Sequence, residues 1–171
     1  MPKVLILSDS HGLTKEVEMI KKRHKNEVDQ LIHCGDSELE MDAKELDDFM
    51  KVAGNCDLDS RFPNELDFSL EDLTFFVTHG HLFQVKSTLM PLSYRAEELQ
   101  ANVICFGHSH IAGAEVVKNK LFINPGSIRL PRNRKEHTYA ILSWETKGNI
   151  TVDFHDISGE RIDDLTYQAN L

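Results

Sequence analysis

The sequence predicts an α/β fold of the α+β kind, in which two sheets pack face to face and each is covered by helices. Three observations carry this. The first half alternates short apolar runs with helix-like stretches, a βαβαβ rhythm that belongs to parallel strands. The middle holds a stretch that alternates apolar and polar residues with period two. The last third is a succession of strand-like runs joined by turns rich in Lys, Asn and Gly.

Taken in order, "KVLIL" (residues 3 to 7) reads as a buried first strand. Its apolar run stops at Ser8 and Asp9, too soon for the apolar region of a signal peptide. Thr14 stands where an N-cap belongs, ahead of a helix with the stripe Leu13, Val17, Ile20. "QLIHCGD" gives a second strand, "ELEMDAKELDDF" an acidic surface helix and "MKVAGN" a third strand. In "ELDFSL", Leu66, Phe68 and Leu70 alternate with Asp67 and Ser69, and Glu71-Asp72 turns the chain back into "LTFFVTH" as a hairpin. A helix near residues 88–100 carries Leu89, Leu92, Ala96 and Leu99, and the strand "VICF" follows. "GAEVVKNKLFINPGS", "TYAILSWE" and "NITVDFHDIS" then read as antiparallel strands turning at "KNK" and "TKGN". No repeat or Pro/Ser-rich linker interrupts the chain, so residues 1–171 are expected to form one domain, which at this size buries roughly 70% of its unfolded surface.

Composition excludes some partners. A net charge of -9 works against a surface that tracks nucleic-acid phosphates. No run approaches the roughly 20 apolar residues of a membrane span. The three cysteines, Cys34, Cys56 and Cys105, are odd in number and lie in or beside apolar runs, which suits reduced thiols in a cytoplasmic protein. A homo-oligomer is compatible with all of this.

The chemistry stands at the strand ends. Asp9 and His11 follow the first strand, Asp36 the second and Asn55 the third; His79 and His81 follow "LTFFV", and His108 and His110 follow "VICF". In α/β sheets the carboxyl ends of strands open on the functional crevice. Carboxylate, amide and imidazole together suit a borderline divalent ion such as Mn, Fe, Co, Ni or Zn. Seven donors (Asp9, His11, Asp36, Asn55, His79, His108, His110) exceed what one ion with room for substrate can use, whereas two ions sharing a carboxylate would use them all. Taken singly each is ordinary: a D-x-H turn, a Gly-Asp cap for the following helix, an Asn in a left-handed turn. His33, inside an apolar strand, reads as a hydrogen-bonded core residue, and His24, His137 and His155 have no partner in the pattern.

The ordered set D-x-H (9–11), G-D (35–36), G-N (54–55), H-G-H (79–81) and G-H-x-H (107–110) resembles the calcineurin-like metallophosphoesterase superfamily. With "GNCD" and "NPGS" it is similar to the small bacterial and archaeal phosphodiesterase branch, over residues 4 to about 132. The resemblance implies a four-layer αββα sandwich of two mixed sheets flanked by helices. It also implies a phosphodiesterase acting on a small-molecule phosphodiester with two divalent metal ions, manganese being the first choice. Asp9, His11 and His110 would hold one ion, Asp36 would bridge, and Asn55, His79 and His108 would hold the other. Two such ions roughly 3.5–4 Å apart lower the pKa of a bridging water and neutralise the attacking and leaving oxygens. With Asp9, Asp36 and a hydroxide, about one positive charge remains for the diester.

One departure stands out. The superfamily usually places a histidine directly after the asparagine, whereas this chain has Cys56, followed by Asp57. A thiol with an ordinary pKa near ~8.5 is a poor proton donor at neutral pH, so esters with acidic leaving groups are expected to turn over best. His81 and Asp57 are the expected catalytic residues; Asn55, Cys56 and Arg129, the last from the basic stretch "RLPRNRK", are expected to contact substrate. Two rival functions compete. A non-catalytic interaction scaffold like the retromer subunit of this fold would show replaced ligands, and a metal-dependent amidohydrolase would need a barrel of about 250 residues. Coordinating imidazoles must be unprotonated, so activity is expected to fall as pH drops through about 6.

Overall fold

The computed structural model describes residues 1–171. In chain order its elements are β1 (Lys3–Leu7), α1 (Lys15–His24), β2 (Gln30–His33), β3 (Phe49–Lys51), β4 (Glu65–Leu70), β5 (Leu73–Thr78), α2 (Met90–Glu98), β6 (Val103–Cys105), β7 (Gly113–Val117), β8 (Lys120–Asn124), β9 (Thr138–Thr146), β10 (Asn149–Asp156) and β11 (Tyr167–Ala169). They form a six-stranded sheet in the order β11-β10-β9-β1-β2-β3 and a five-stranded sheet in the order β4-β5-β6-β8-β7. Both are mixed. β1, β2 and β3 run parallel, as do β5, β6 and β8, while β4, β7, β9 and β10 pair antiparallel with their neighbours.

Side-chain alternation explains the layering. Along β1, Val4 and Ile6 join the apolar cluster between the sheets, whereas Leu5 and Leu7 join the one that holds Val17 and Ile20 of α1. The second sheet repeats the device. Phe75, Val77, Val103 and Cys105 point to the middle, and Phe76 and Ile104 point to Leu92 and Ala96 of α2. A strand covered on both faces needs an unbroken apolar run, which is why "KVLIL" and "VICF" do not alternate in hydropathy. The layers are therefore α1, six-stranded sheet, five-stranded sheet, α2: the αββα sandwich expected above.

Several local expectations fail, each for a visible reason. The acidic stretch 38–49 is not a helix but a loop with one 3-10 turn at Lys44–Leu46. Its backbone N–H groups at Glu38 and Met41 are taken by the carboxylates of Asp57 and Asp59, and Glu38 and Asp48 sit in the left-handed region. Asp36 consequently has no following helix to cap. The third strand is shorter and earlier than "MKVAGN". Thr14 precedes α1 without a side-chain capping bond. The short β11, three residues long, was not foreseen. The hairpin, the helix near 88–100 and the antiparallel strands from β7 to β10 lie where expected.

Candidate metal centre

Loops beyond β1, β2, β3, β5 and β6 bring the expected donors together across the seam between the sheets. Asp9 is fully buried, and its two oxygens have different surroundings. Oδ2 accepts hydrogen bonds from Ser8 Oγ at 2.6 Å and from the backbone N–H of His108 at 3.1 Å. Oδ1 has no hydrogen-bond donor. It faces three imidazole Nε2 atoms instead: His110 at 3.1 Å, His11 at 3.7 Å and His79 at 3.7 Å.

Asp36 is divided in the same way. Its Oδ1 accepts from the backbone N–H of Cys56 at 2.8 Å, while Oδ2 lies 3.2 Å from His79 Nε2 and 3.9 Å from His11 Nε2. It stands between the two groups, where a bridging carboxylate would. Asn55 Oδ1 lies 3.1 Å from His79 Nε2, and the Nε2 atoms of His11 and His110 are 3.3 Å apart. Donors around one ion with bonds of about 2.0–2.2 Å stand roughly 3 Å from each other, the spacing found here.

The imidazoles are aimed from behind. His79 donates its Nδ1–H to the carbonyl of Cys34 at 2.8 Å, and His110 donates Nδ1–H to the carbonyl of Leu130 at 2.7 Å. Each bond fixes the ring and the tautomer and leaves Nε2 a free lone pair, the arrangement that metal-ligating histidines require. An orphaned buried carboxylate oxygen ringed by such lone pairs fits a divalent cation. Asp9, His11 and His110 form one group close enough to share an ion, and Asp9, Asp36 and His79 another; a third joins His11, Asp36 and Cys56. The Cys56 thiol was expected only to touch substrate, so its place among the donors is a difference. The His108 ring stacks edge-on against His79 with centroids 5.1 Å apart, outside those three groups.

Backbone and packing show how costly the arrangement is. Asp9, His11, Asp36, His108 and His110 all have positive φ, between 41° and 70°. Left-handed backbone is unfavourable for residues with a side chain and clusters at functional sites, where surrounding contacts enforce it. Asn55 is not among them, so the left-handed turn that an isolated Asn would suggest is not what it forms. Two glycines make room. A Cβ on Gly54 would stand 2.0 Å from Asp36 Oδ1, and one on Gly107 2.0 Å from Ser8 Oγ and 2.5 Å from Asp9 Oδ2.

Charge couples the groups. Burial opposes ionisation of Asp9, but the nearby imidazoles of His11, His110 and His79 and the bond from Ser8 outweigh it and hold the carboxyl well below the usual range. Burial likewise works against a proton on His79, yet Asp36 and Asp9 raise its pKa; the neighbouring Asp9 carboxylate raises that of His11. His108 moves the other way, pushed down to about 4 by burial and by the positive charge of His79 and Lys86. Burial and His79 also lower His81, whose ring lies 5.5 Å from that of His79. Burial and the neighbouring Asp36 push the Cys56 thiol up to about 11.

Asp57, expected to be catalytic, bonds to backbone on both oxygens. Its Oδ2 accepts from the backbone N–H of Asp36 at 2.8 Å and of Gly54 at 2.7 Å, and Oδ1 from that of Glu38 at 2.8 Å. It ties the loops that carry Asp36 and Asn55 together. The basic stretch divides: Arg129 donates to the carbonyl of His11 at the mouth, while Arg134 pairs with Glu136 and Asp164. His33 is the hydrogen-bonded core histidine that the sequence predicts, and it also positions the centre. It accepts from the Gly35 N–H at 3.1 Å through Nδ1, donates to Ser10 Oγ at 2.8 Å, and is kept neutral by burial. Asn124 donates to Gly107 O and Ser109 Oγ, and Ser127 Oγ donates to Asp9 O at 2.7 Å. The "NPGS" stretch carrying both was the one signal for them.

Known proteins resemble this chain in sequence and in fold. The sequence model of the calcineurin-like phosphoesterase superfamily domain matches residues 2–147. The chain is 54% identical over 168 residues to "Probable metallophosphoesterase YsnB" of Bacillus subtilis, covering 98% of this chain and 99% of that one. It is 32% identical over 114 residues to "Phosphodiesterase YfcE" of Escherichia coli K12, covering 62% and 58%. A crystal structure of a predicted phosphoesterase from Streptococcus pneumoniae superposes with a TM-score of 0.94 at 33% identity, over 98% of this chain and 96% of that one.

Proposed function

The chain belongs to the calcineurin-like phosphoesterase superfamily, and from that premise we propose that it is a phosphodiesterase with a dinuclear divalent-metal centre, manganese being the first choice. The observation that carries the reading is Asp9 Oδ1, buried without a donor and faced by three imidazole nitrogens. Asp9, His11 and His110 would hold one cation, Asn55, His79 and His108 the other, with Asp36 between them. Bound there, the pair supplies Lewis acidity and a water of lowered pKa for in-line attack on phosphorus.

The chain's own residues do the rest. Leu130 and Cys34 carbonyls keep His110 and His79 in the ligating tautomer. Arg129 brings a fixed positive charge to the mouth through its bond to the His11 carbonyl and meets a phosphate oxygen. A centre with about one net positive charge matches a singly charged diester. His81, neutral at pH 7, offers an N–H rather than a labile proton, and Cys56 at about 11 is no better an acid. The leaving group therefore departs largely unassisted, and rates should rise steeply as its own pKa falls. Asp57 is a positioning residue in this reading. A scaffold without chemistry would have no use for seven retained donors.

The test is metal analysis of the purified protein together with hydrolysis of bis-p-nitrophenyl phosphate in added Mn, Fe, Co, Ni or Zn. Two bound cations and metal-dependent release of p-nitrophenol are expected. A folded protein that takes up no cation and cleaves no diester would overturn the proposal.

A further inference from the structure

Beside the metal centre, on the α2 side of the second sheet, lies a cleft of about 560 Å³. Phe106, Ser109, Ile111 and Ala112 line it and belong to the loop that carries His108 and His110, so the two spaces share a wall. Val85, Leu89 and Phe122 make the rest mainly apolar. That size and lining are typical of sites for organic ligands. Two cations stand at it, Lys86 and Arg132, both exposed and neither ion-paired, in contrast to the neutralised Arg134. Glu115 is the one carboxylate in the lining. Exposed apolar side chains also stand next to residues of the centre in sequence: Leu58, Leu82, Ile111 and Leu130 directly follow Asp57, His81, His110 and Arg129 and are 98%, 59%, 42% and 53% exposed, and Ile111 lines the cleft itself. Apolar side chains held so open around a charged centre suit a ligand with an apolar part.

We propose that this cleft receives the ester group that stays on phosphorus, and that preferred substrates carry there a bulky ring-containing group with an additional negative charge, met by Lys86 and Arg132. The inference rests on the phosphodiesterase reading and specifies its substrate class. Gly113 provides the means to test it. It sits at the start of β7, two residues before Glu115 and therefore on the same face, with no positive φ, and a Cβ built on it meets nothing within 4 Å. Gly113→Phe should fill the cleft without disturbing the fold or the donors.

Three diesters with the same p-nitrophenol leaving group separate the effects: methyl, phenyl and p-carboxyphenyl p-nitrophenyl phosphate, each assayed with Mn. Wild-type kcat/KM should be at least tenfold higher for the aryl esters than for the methyl ester, and highest for the carboxyphenyl ester. Gly113→Phe should cost the aryl esters about tenfold, mainly in KM, and leave the methyl ester within twofold. Lys86→Glu, a substitution at an exposed side chain, should abolish the advantage of the carboxyphenyl ester alone. Hydrolysis of all three without discrimination, or equal losses on all three in both variants, would overturn the cleft proposal while the metal reading stands. No hydrolysis of any of them by the metal-loaded protein would bring both down.

Discussion

Two groups of histidines occupy this molecule, and they differ in backbone and in how much bonding capacity is left over. In the second group, on the α1 side of the six-stranded sheet, His24 bonds Glu27 through Nδ1 and the Tyr139 hydroxyl through Nε2 at 2.7 Å. Arg23 donates to the same hydroxyl at 3.2 Å, and His155 stacks on the Tyr139 ring with centroids 5.5 Å apart. Apart from Glu27 these residues lie in a helix and two regular strands; both His24 nitrogens are spent on protein partners, and His155 Nδ1 alone is left over, on an ordinary strand. In the metal centre, five donors sit just past strand ends in left-handed backbone, each aimed ring spends one nitrogen, and a buried carboxylate oxygen is left over. Histidine count therefore says little about function. What distinguishes a binding cluster is unspent capacity held in place by strained backbone.

The strongest way to break this contrast is to neutralise the leftover oxygen. Asp9→Asn should lower metal-dependent diester hydrolysis by about 10³-fold, roughly 4 kcal/mol, with loss of bound cation seen by metal analysis. Glu27→Gln should stay within twofold; similar losses in both variants would erase the distinction. Asp57→Ala comes next. It strips an acceptor from three backbone N–H groups, so chemical denaturation should show a loss of about 2–4 kcal/mol, with Asp57→Asn recovering part of it. If Asp57 took part in catalysis instead, activity would collapse with stability unchanged.

Smaller is the dependence of metal stabilisation on pH. His11 and His79 bind protons more tightly than free histidine because of Asp9 and Asp36, and those protons compete with a cation. That proton-linked stability of the metal-free chain is complete below the unfolded value near 6.5 and is lost as pH rises through the raised folded values. A cation takes over in the same window. The gain in Tm from added Mn should therefore grow as pH rises past 6.5 and shrink below it, by up to about 1.4 kcal/mol per unit for each imidazole. Thermal melts with and without Mn at each pH check this, and a gain independent of pH would contradict it. Least of all, Tyr139→Phe should cost about 1 kcal/mol in denaturant melts and leave activity unchanged, because it removes one buried hydrogen-bond group that serves no ligand.

Much of this was legible in the sequence, for identifiable reasons. Continuous apolar runs such as "KVLIL" report strands covered on both faces, and the donor just past each run reports the crevice. What stayed hidden depends on long-range partners. Asp57 has the same letters around it whether its carboxylate faces substrate or three backbone amides. The acidic stretch 38–49 has helix-like composition, but Asp57 and Asp59 claim its N–H groups from a distance in sequence. Gly113 and Lys86 carry no local signal, since the cleft they share exists only once β7 and the loop before α2 meet.

The bond from Ser127 to the Asp9 carbonyl has a mechanical consequence. Asp9 hangs from the central strand of one sheet and Ser127 from the end of β8 in the other, so the hydroxyl is a rivet through the seam. With it in place the two halves of the sandwich resist sliding past each other.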